Sequence, residues 1–251
     1  MLTTTKTGYK TMQTNKEKAL YLQVKDYLLE KIKEMVPKKN QLEPENLLAS
    51  NLNVSRQTIR QAMSELIREG IISRWHGKGN FGHPNVLNLS MRIDLKSDFL
   101  IFLKGGGYSV KMILTDSRLA DSSWAMRRRI PEAISRKVIA FEKYYYADDE
   151  LAILCKYEFF EEYLKKPISA GITHGNFEDF LRDYCTFNST YTLAWMRAET
   201  NIEVATKFVI DQGTSFLIWD EVFFNHLDQK IFFVEVHFNP KIMDLSFNCT
   251  F

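Results

Sequence analysis

The chain has 251 residues, of which 45% are hydrophobic, and a formal net charge of +2. This apolar content excludes a disordered chain, and the length predicts two compact domains or one large one. No apolar run approaches the ~20 residues of a membrane span, and the first residues lack the apolar segment of a signal peptide. We therefore expect a cytoplasmic protein without a membrane partner.

The three cysteines are Cys155, Cys185 and Cys249. They are widely separated and form no Cys-x-x-Cys pair, so the sequence predicts neither a disulfide framework nor a zinc site. This cysteine usage favours a reducing compartment. The histidines also show no metal-ligand or catalytic spacing, so we expect no metal, no cofactor and no enzymatic activity.

The charge is distributed unevenly along the chain. Residues 1–82 contain 14 Lys and Arg against 8 Asp and Glu, whereas the remainder contains 19 basic and 23 acidic residues. A basic first part and an acidic second part indicate that only the first part meets a polyanion.

Residues 1–15 are polar and predict a flexible tail. Apolar residues at spacings of three and four then predict a helix from Leu20 to Met35, and Pro44 suits the first turn of a second helix. Ser55 is suited to cap a third helix, which Gly70 ends. Gln57, Arg60, Gln61 and Ser64 lie beside or opposite the apolar stripe of that helix.

A short hairpin follows the third helix. Extended segments at Ile71–Trp75 and Asn80–Phe81 flank Gly77-Lys78-Gly79, so the pattern predicts a two-stranded wing. Three helices and a wing within residues 16–82 predict a winged helix-turn-helix domain.

A linker is expected at residues 83–94, followed by a second domain at 95–251. Strands are predicted at Val138–Tyr146 and Leu151–Phe160, a helix at Asn176–Tyr184, and a hairpin of Phe216–Phe224 with Ile231–Phe238. This order is typical of an antiparallel α+β domain.

The third helix and the wing carry side chains suited to DNA. The first turns of a recognition helix reach base edges in the major groove, where Arg suits guanine and Gln suits adenine. Hydroxyls can hold phosphates, and wing glycines allow close approach of the backbone. The predicted DNA contacts are Ser55, Arg56, Gln57, Thr58, Arg60, His76, Gly77 and Lys78.

Each of these features also has an ordinary structural interpretation. Arg56 and Arg60 could be solvated charges on a surface helix, and Gly77-Lys78-Gly79 could be a simple hairpin turn. The order of the elements, with a basic helix followed at once by a glycine wing, favours DNA binding.

The motifs resemble one known family. Leu20-Tyr21-Leu22-Gln23-Val24, Val54-Ser55-Arg56-Gln57-Thr58-Ile59-Arg60-Gln61-Ala62, Leu66-Ile67-Arg68-Glu69-Gly70-Ile71-Ile72 and His76-Gly77-Lys78-Gly79 are similar to the winged-helix domain of GntR regulators over residues 18–82. One position departs from the family pattern, because Asn46 stands where the family has a DNA-contacting arginine. Lys38 or Lys39 could compensate.

Residues 95–251 resemble the UTRA effector domain of the HutC branch of that family. The matching features are Gly107, Ala147-Asp148-Asp149-Glu150, Asn176-Phe177-Glu178 and the segment from Glu235 to Asp244. The resemblance implies a chorismate-lyase-like antiparallel sheet, a homodimer and a small-molecule effector. The effector positions that it implies are Lys143, Tyr145, Cys155, Asn176, Glu178, Glu235 and Lys241.

These effector positions differ from those of relatives that bind phosphorylated amino sugars. Lys143 and Tyr145 replace an Arg-x-Arg pair, and lysine cannot copy the bidentate geometry of a guanidinium. We therefore expect a ligand other than a sugar phosphate, or a pocket that has lost its function.

The predicted function is ligand-modulated repression at a palindromic operator. Two alternatives stay open from the sequence. The second domain could serve only for dimerisation in a constitutive DNA-binding protein, or it could carry an enzyme site, with Cys155 near a histidine as the candidate.

Overall fold

The computed structural model describes residues 3–4, 10–11, 19–95, 98–173, 177–187 and 189–249. The chain divides into two units, Met1–Leu95 with Ser246–Phe251 and Lys96–Leu245. The last residues thus group with the first unit, whereas we expected them in the second domain. Most of the predicted tail at 1–15 lies outside the described residues.

The first unit is mainly helical. Its elements are β1 (Thr3–Thr4), β2 (Lys10–Thr11), α1 (Leu20–Lys33), α2 (Glu45–Leu52), α3 (Arg56–Arg68), β3 (Ile72–Trp75), β4 (Gly79–Gly82) and α4 (Pro84–Leu87). β1 and β2 pair antiparallel, as do β3 and β4. The short α4 lies where we expected a linker.

The core of this unit forms between α1 and α3. The apolar positions of both helices recur at spacings of three and four, which gathers them on facing sides. They are fully buried: Val24, Leu28, Ile32, Ile59, Ala62, Met63 and Leu66. This packing leaves the polar side of α3 at the surface.

The wing is fixed to this core at its base. Gly82 ends β4 against α1, and a Cβ atom there would lie 2.7 Å from Ile32 Cγ1. Only glycine permits this approach. A backbone bridge between Gln41 and Phe81 further joins the wing to the segment before α2.

The second unit is an α+β domain. Its elements are α5 (Phe99–Gly105), β5 (Val110–Leu114), β6 (Arg118–Asp121), α6 (Trp124–Arg129), β7 (Lys137–Ala147), β8 (Glu150–Phe160), β9 (Gly171–Thr173), α7 (Phe177–Tyr184), β10 (Tyr191–Glu199), α8 (Ile202–Phe208), β11 (Phe216–Phe224) and β12 (Lys230–Phe238). Short 3-10 helices span Pro131–Ser135 and Glu161–Tyr163.

Within the described residues of this unit, eight strands form one antiparallel sheet. Their order is β10-β11-β12-β8-β7-β5-β9, with β6 also paired to β7. Asp148 and Asp149 both have positive φ, at 48° and 69°, and make the tight turn between β7 and β8. The predicted α+β class with an N-terminal winged helix is confirmed.

The sheet has two chemically different faces, because successive residues of a strand point to opposite sides. The aromatic face carries stacked rings under α7, and Phe180 of α7 packs tilted against Phe141. The rings of the sheet are Phe141, Tyr157, Phe159, Phe223 and Phe232. The charged face lies opposite and carries the ion pairs of Asp220 and Glu235, with α8 packed beside them.

Candidate nucleic-acid interface and effector site

α3 begins at a side-chain cap. Thr58 N donates a 3.0 Å hydrogen bond to Ser55 Oγ, which satisfies one of the free N–H groups of the first turn. The Ser55 and Thr58 hydroxyls also lie 2.8 Å apart. The cap predicted at Ser55 is therefore present, and it fixes the first residues of the helix.

Most of the predicted DNA contacts lie on the exposed side of the first unit. On α3, Ser55, Arg56, Gln57 and Arg60 are exposed and Thr58 is half-buried. On the wing, His76, Gly77 and Lys78 are exposed at the tip. Asn46 is exposed at the start of α2, at the position where the family has an arginine. Contact of these residues with DNA stays a prediction.

The wing also carries a large apolar side chain in the open. Trp75 is 57% exposed, and Lys78 Nζ lies 4.5 Å from the centre of its ring. Gly77 at the tip has a φ of 74° and open space around it. Sequence reasoning missed Trp75, although an exposed aromatic residue beside a basic wing tip could have indicated it.

The Glu45 carboxylate joins α3 to the wing. Arg60 Nε donates to Glu45 Oε2 and Arg74 Nη2 donates to Glu45 Oε1, both at 2.8 Å. Arg74 Nε also donates to Asn80 Oδ1 at 3.0 Å. Sequence reasoning missed Glu45 and Arg74 because their partners are distant along the chain.

The far end of α3 is bonded to the residues that precede the second unit. Arg92 is 7% exposed, and its Nη2 donates to the Glu69 carbonyl at the C-cap of α3 at 2.8 Å. Asp94 pairs with Arg92, and its Oδ1 accepts from Asn248 N. Arg92 and Ser246 also form a backbone bridge, so both segments meet beside the helix end.

Three of the predicted effector residues lie together on the aromatic face. Lys143 pairs with Cys155 across β7 and β8, and Tyr145 lies two residues further along β7. All three are at most 1% exposed. Phe99 contacts both Tyr145 and Phe238 edge-on, so its ring packs over the Tyr145 end of this group.

The Lys143 ammonium is enclosed by aromatic rings. Nζ lies 4.1 Å from the centre of Phe180, 5.3 Å from Tyr157 and 5.4 Å from Phe177. Burial lowers the pKa of Lys143 to about 8, although Cys155 and Asp98 oppose this shift. Cation–π attraction offsets part of the cost of burying the charge.

Burial disfavours the thiolate form of two cysteines of the second unit. Burial raises the pKa of Cys155, and it raises the pKa of Cys185 to about 12. Both therefore remain protonated at neutral pH, whereas a nucleophilic cysteine must be a thiolate.

The remaining predicted effector residues do not join this group. Glu235 pairs with Lys156 and Asp220 in neighbouring strands, which places it on the charged face. Lys241 follows β12, and its Nζ donates to the Val209 carbonyl at 3.0 Å. Glu178 is exposed on α7, and Asn176 lies outside the described residues. A single pocket on one face therefore cannot contain both Lys143 and Glu235.

Glu235 belongs to an ionic network on the charged face. Arg197 contacts Glu235 at 2.7 Å and Asp220 at 3.2 Å, while Arg129 contacts Asp220 at 2.9 Å. Burial alone would raise the pKa of Glu235, but hydrogen bonding to His237 and the charges of His237 and Arg197 lower this pKa below its usual value. This carboxylate is thus held ionised by its neighbours.

Two absences apply to the part of the chain that the structure describes. There, no group of three or more His, Cys, Asp or Glu side chains could hold a metal ion. No helix in the same ranges has the length and apolar content to cross a bilayer.

Comparison with known proteins gives a family match for the first unit. The model of the family described as bacterial regulatory proteins, gntR family, matches residues 20–81. A probable fructoselysine utilization operon transcriptional repressor of Escherichia coli O157:H7 is 29% identical over 197 residues, which cover 76% of this chain and 72% of that protein. The uncharacterized regulator YurK of Bacillus subtilis is 26% identical over 132 residues, covering 52% and 54% of the two chains.

Solved structures share the fold at low sequence identity. The possible transcriptional regulator YydK from Bacillus subtilis has a TM-score of 0.68 and 13% identity, covering 93% of this chain and 100% of that one. The effector domain of PhnF from Mycobacterium smegmatis has a TM-score of 0.53 and 12% identity, covering 65% and 100%. At these identities the likeness shows the fold alone.

A winged helix-turn-helix joined to an antiparallel α+β unit defines the class of two-domain transcription regulators. Residues 20–81 are a GntR-family helix-turn-helix domain, and the similar protein of Escherichia coli is named as a probable transcriptional repressor. The fold of the chain is shared with the structure of YydK.

Proposed function

We propose that this regulator is a homodimeric repressor that binds a palindromic operator through α3 and the wing. The observation that carries the proposal is the exposed start of α3, capped by Ser55, beside a basic wing. Symmetric dimers read symmetric sites with half-sites about one helical turn apart. The similar repressor from Escherichia coli supports repression over activation.

The test is selection of duplexes from a random library with the full chain. We expect enrichment of an inverted repeat. Arg56→Ala should lower the affinity for the selected duplex by about 1–3 kcal/mol and relax the preference at one base pair of each half-site, because a bidentate contact to guanine is lost.

The matched control for Arg56→Ala is Arg68→Ala, which removes an exposed arginine at the opposite end of the same helix. The control should retain the full base preference. Selection that enriches no sequence, or an Arg56→Ala profile identical to that of the unaltered chain, contradicts the proposal.

The second unit supports an effector that is not a sugar phosphate. The family resemblance implies guanidinium groups at the positions of Lys143 and Tyr145 in relatives that bind such ligands. The Lys143 ammonium is enclosed by aromatic rings, and an ammonium lacks the planar fork with which a guanidinium binds phosphate. Titrating sugar phosphates against operator binding should leave the affinity unchanged, and a release of DNA at micromolar ligand would contradict this view.

A constitutive DNA-binding protein is the second candidate function. The observation that favours it is the burial of Lys143, Tyr145 and Cys155. These side chains are at most 1% exposed, so they present little surface to a ligand. Titration with a broad set of small metabolites separates the two candidates, because only the ligand-modulated regulator changes its operator affinity.

A further inference from the structure

We propose that Glu45 is a specificity-determining residue of the DNA interface: its carboxylate withholds Arg60 and Arg74 from indiscriminate phosphate contacts and positions Arg60 for base reading. The inference rests on the proposed placement of α3 in the major groove. Glu45 acts by orienting Arg60, whereas the predicted contacts are residues that touch DNA themselves.

The Glu45 carboxylate lies between two separate elements. Glu45 is the first residue of α2, and its two oxygens bind one arginine from α3 and one from β3. The Glu45 side chain is only 20% exposed, while Arg60 is 69% and Arg74 is 49% exposed. A largely enclosed anion therefore holds two cations that reach into solvent.

The ion pair of Glu45 and Arg74 is anchored to the core of the first unit. Arg74 Nε donates to Asn80 Oδ1, and Asn80 is 8% exposed with its Nδ2 3.7 Å from Met63 Sδ in the core. Asn80 O also accepts a 2.8 Å bond from Leu42 N, just before α2. The α2 N-terminus itself favours a carboxylate, since its free N–H groups are partially positive.

The ion pair leaves the outer nitrogens of the Arg60 guanidinium available. Its bond to Glu45 uses Nε, so this ion pair does not consume Nη1 and Nη2. Those two nitrogens form the end-on fork that pairs with guanine. Fixing the guanidinium at Nε restricts the directions in which the fork can point, which reduces the ordering cost of a specific contact.

The carboxylate also changes the electrostatics of the surface. Two arginines that share one anion contribute less positive charge to the phosphate backbone than two unpaired arginines would. Nonspecific affinity arises almost entirely from such phosphate neutralisation. Glu45 therefore lowers the affinity for random DNA while it improves the geometry for a specific sequence.

The test compares Glu45→Gln with the unaltered full chain on two probes, a duplex selected from a random library and a scrambled duplex of equal length. The amide keeps the size of the side chain but loses the negative charge. We expect tighter binding of the scrambled duplex. The slope of log affinity against log salt should steepen by the equivalent of up to about two additional phosphate contacts. The ratio of selected to scrambled affinity should fall by about fivefold or more.

A matched control is Glu30→Gln, which removes an exposed carboxylate paired with Lys33 on α1. The same charge change there should leave the affinity ratio unaltered. Glu45→Asp, which keeps the charge, should retain more of the ratio than Glu45→Gln does.

A purely structural role for Glu45 has a different signature, namely a loss of affinity for both probes in equal proportion. That result, or an unchanged ratio, overturns the inference. If Glu45→Gln unfolds, as judged by its melting curve, the comparison moves to Arg60→Gln, which should reproduce the fall in the ratio without increasing scrambled binding. A retained ratio in Arg60→Gln also overturns the inference. Failure of the unaltered chain to select any sequence contradicts the proposed function itself, so the two failures are distinguishable.

Discussion

At the scale of single residues, the least ordinary group is the Lys143 ammonium. A cation that loses its water requires compensation, and here the faces of three rings supply part of it. The lowered pKa shows that compensation is incomplete, since the folded state holds the proton less tightly than the unfolded chain does. Lys143 therefore contributes unfavourably to stability while it is charged.

Lys143→Met should stabilise the protein at neutral pH, by up to about 3 kcal/mol, because the pKa of Lys143 falls from 10.5 to about 8 on folding. Below pH 8 both states carry the proton and the full penalty applies. As the pH rises from about 8 to 10.5 the folded state loses its proton first, so the advantage of the variant should shrink and disappear.

Urea unfolding of both proteins across this pH range measures the effect. Lys137→Met, on the same strand but 59% exposed, is the control and should show no such pH-dependent gain. A variant that is destabilised equally at pH 7 and pH 10 would show that the buried charge carries no net cost.

At the scale of elements, the wing is a hairpin whose tip carries little side-chain bulk. Gly77 and Gly79 adopt φ values of 74° and 111°, which other residues rarely adopt. Gln41 Nε2 donates a 2.7 Å hydrogen bond to the Lys78 carbonyl, which fixes the backbone of the tip. The Lys78 side chain meanwhile lies over Trp75 in the open.

Lys78→Ala should weaken binding to selected and scrambled duplexes alike, because phosphate contacts carry no sequence information. The slope of log affinity against log salt should become shallower by about one. Binding measured at several salt concentrations tests this, with exposed Lys104 of the second unit as the matched alanine control. An unaltered slope would place the wing tip away from the backbone.

Sequence patterns predicted those elements whose burial is periodic. The stripe of α3 and the strands β7, β8, β11 and β12 have repeating or continuous apolar positions, and these elements were placed within a few residues. β10 was missed because it is an edge strand whose side chains Ala194, Met196 and Ala198 stay exposed. The short α6 and α8 were missed because their apolar contacts depend on the sheet beneath them.

Site residues followed the same division. The first turn of α3 could be placed because its cap and its exposed side are local properties of the sequence. The Glu45 ion pairs and the separation of Glu235 from Lys143 depend on which elements are neighbours, which no spacing along the chain reveals.

At the scale of the whole molecule, the proposed dimer determines how DNA is read. One winged helix contacts only a few base pairs, and two linked copies bind with higher effective affinity when both half-sites are reachable at once. Half-site spacing is then a property of the protein as much as of the DNA.

Inserting five base pairs between selected half-sites should abolish most of the gain from the second half-site, since it rotates one half-site to the opposite side of the duplex. Ten inserted base pairs restore the rotational phase and form the control. Sedimentation of the complex should give two chains for each duplex. One chain for each duplex, or an affinity independent of spacing, would contradict the dimer.

The bond from Arg92 to the Glu69 carbonyl has a mechanical consequence. Arg92 also forms a backbone bridge with Ser246, so two segments that lie far apart along the chain are joined beside the end of this helix. Unwinding of the last turn of α3 would break the bond from Arg92, so this junction opposes fraying of the helix.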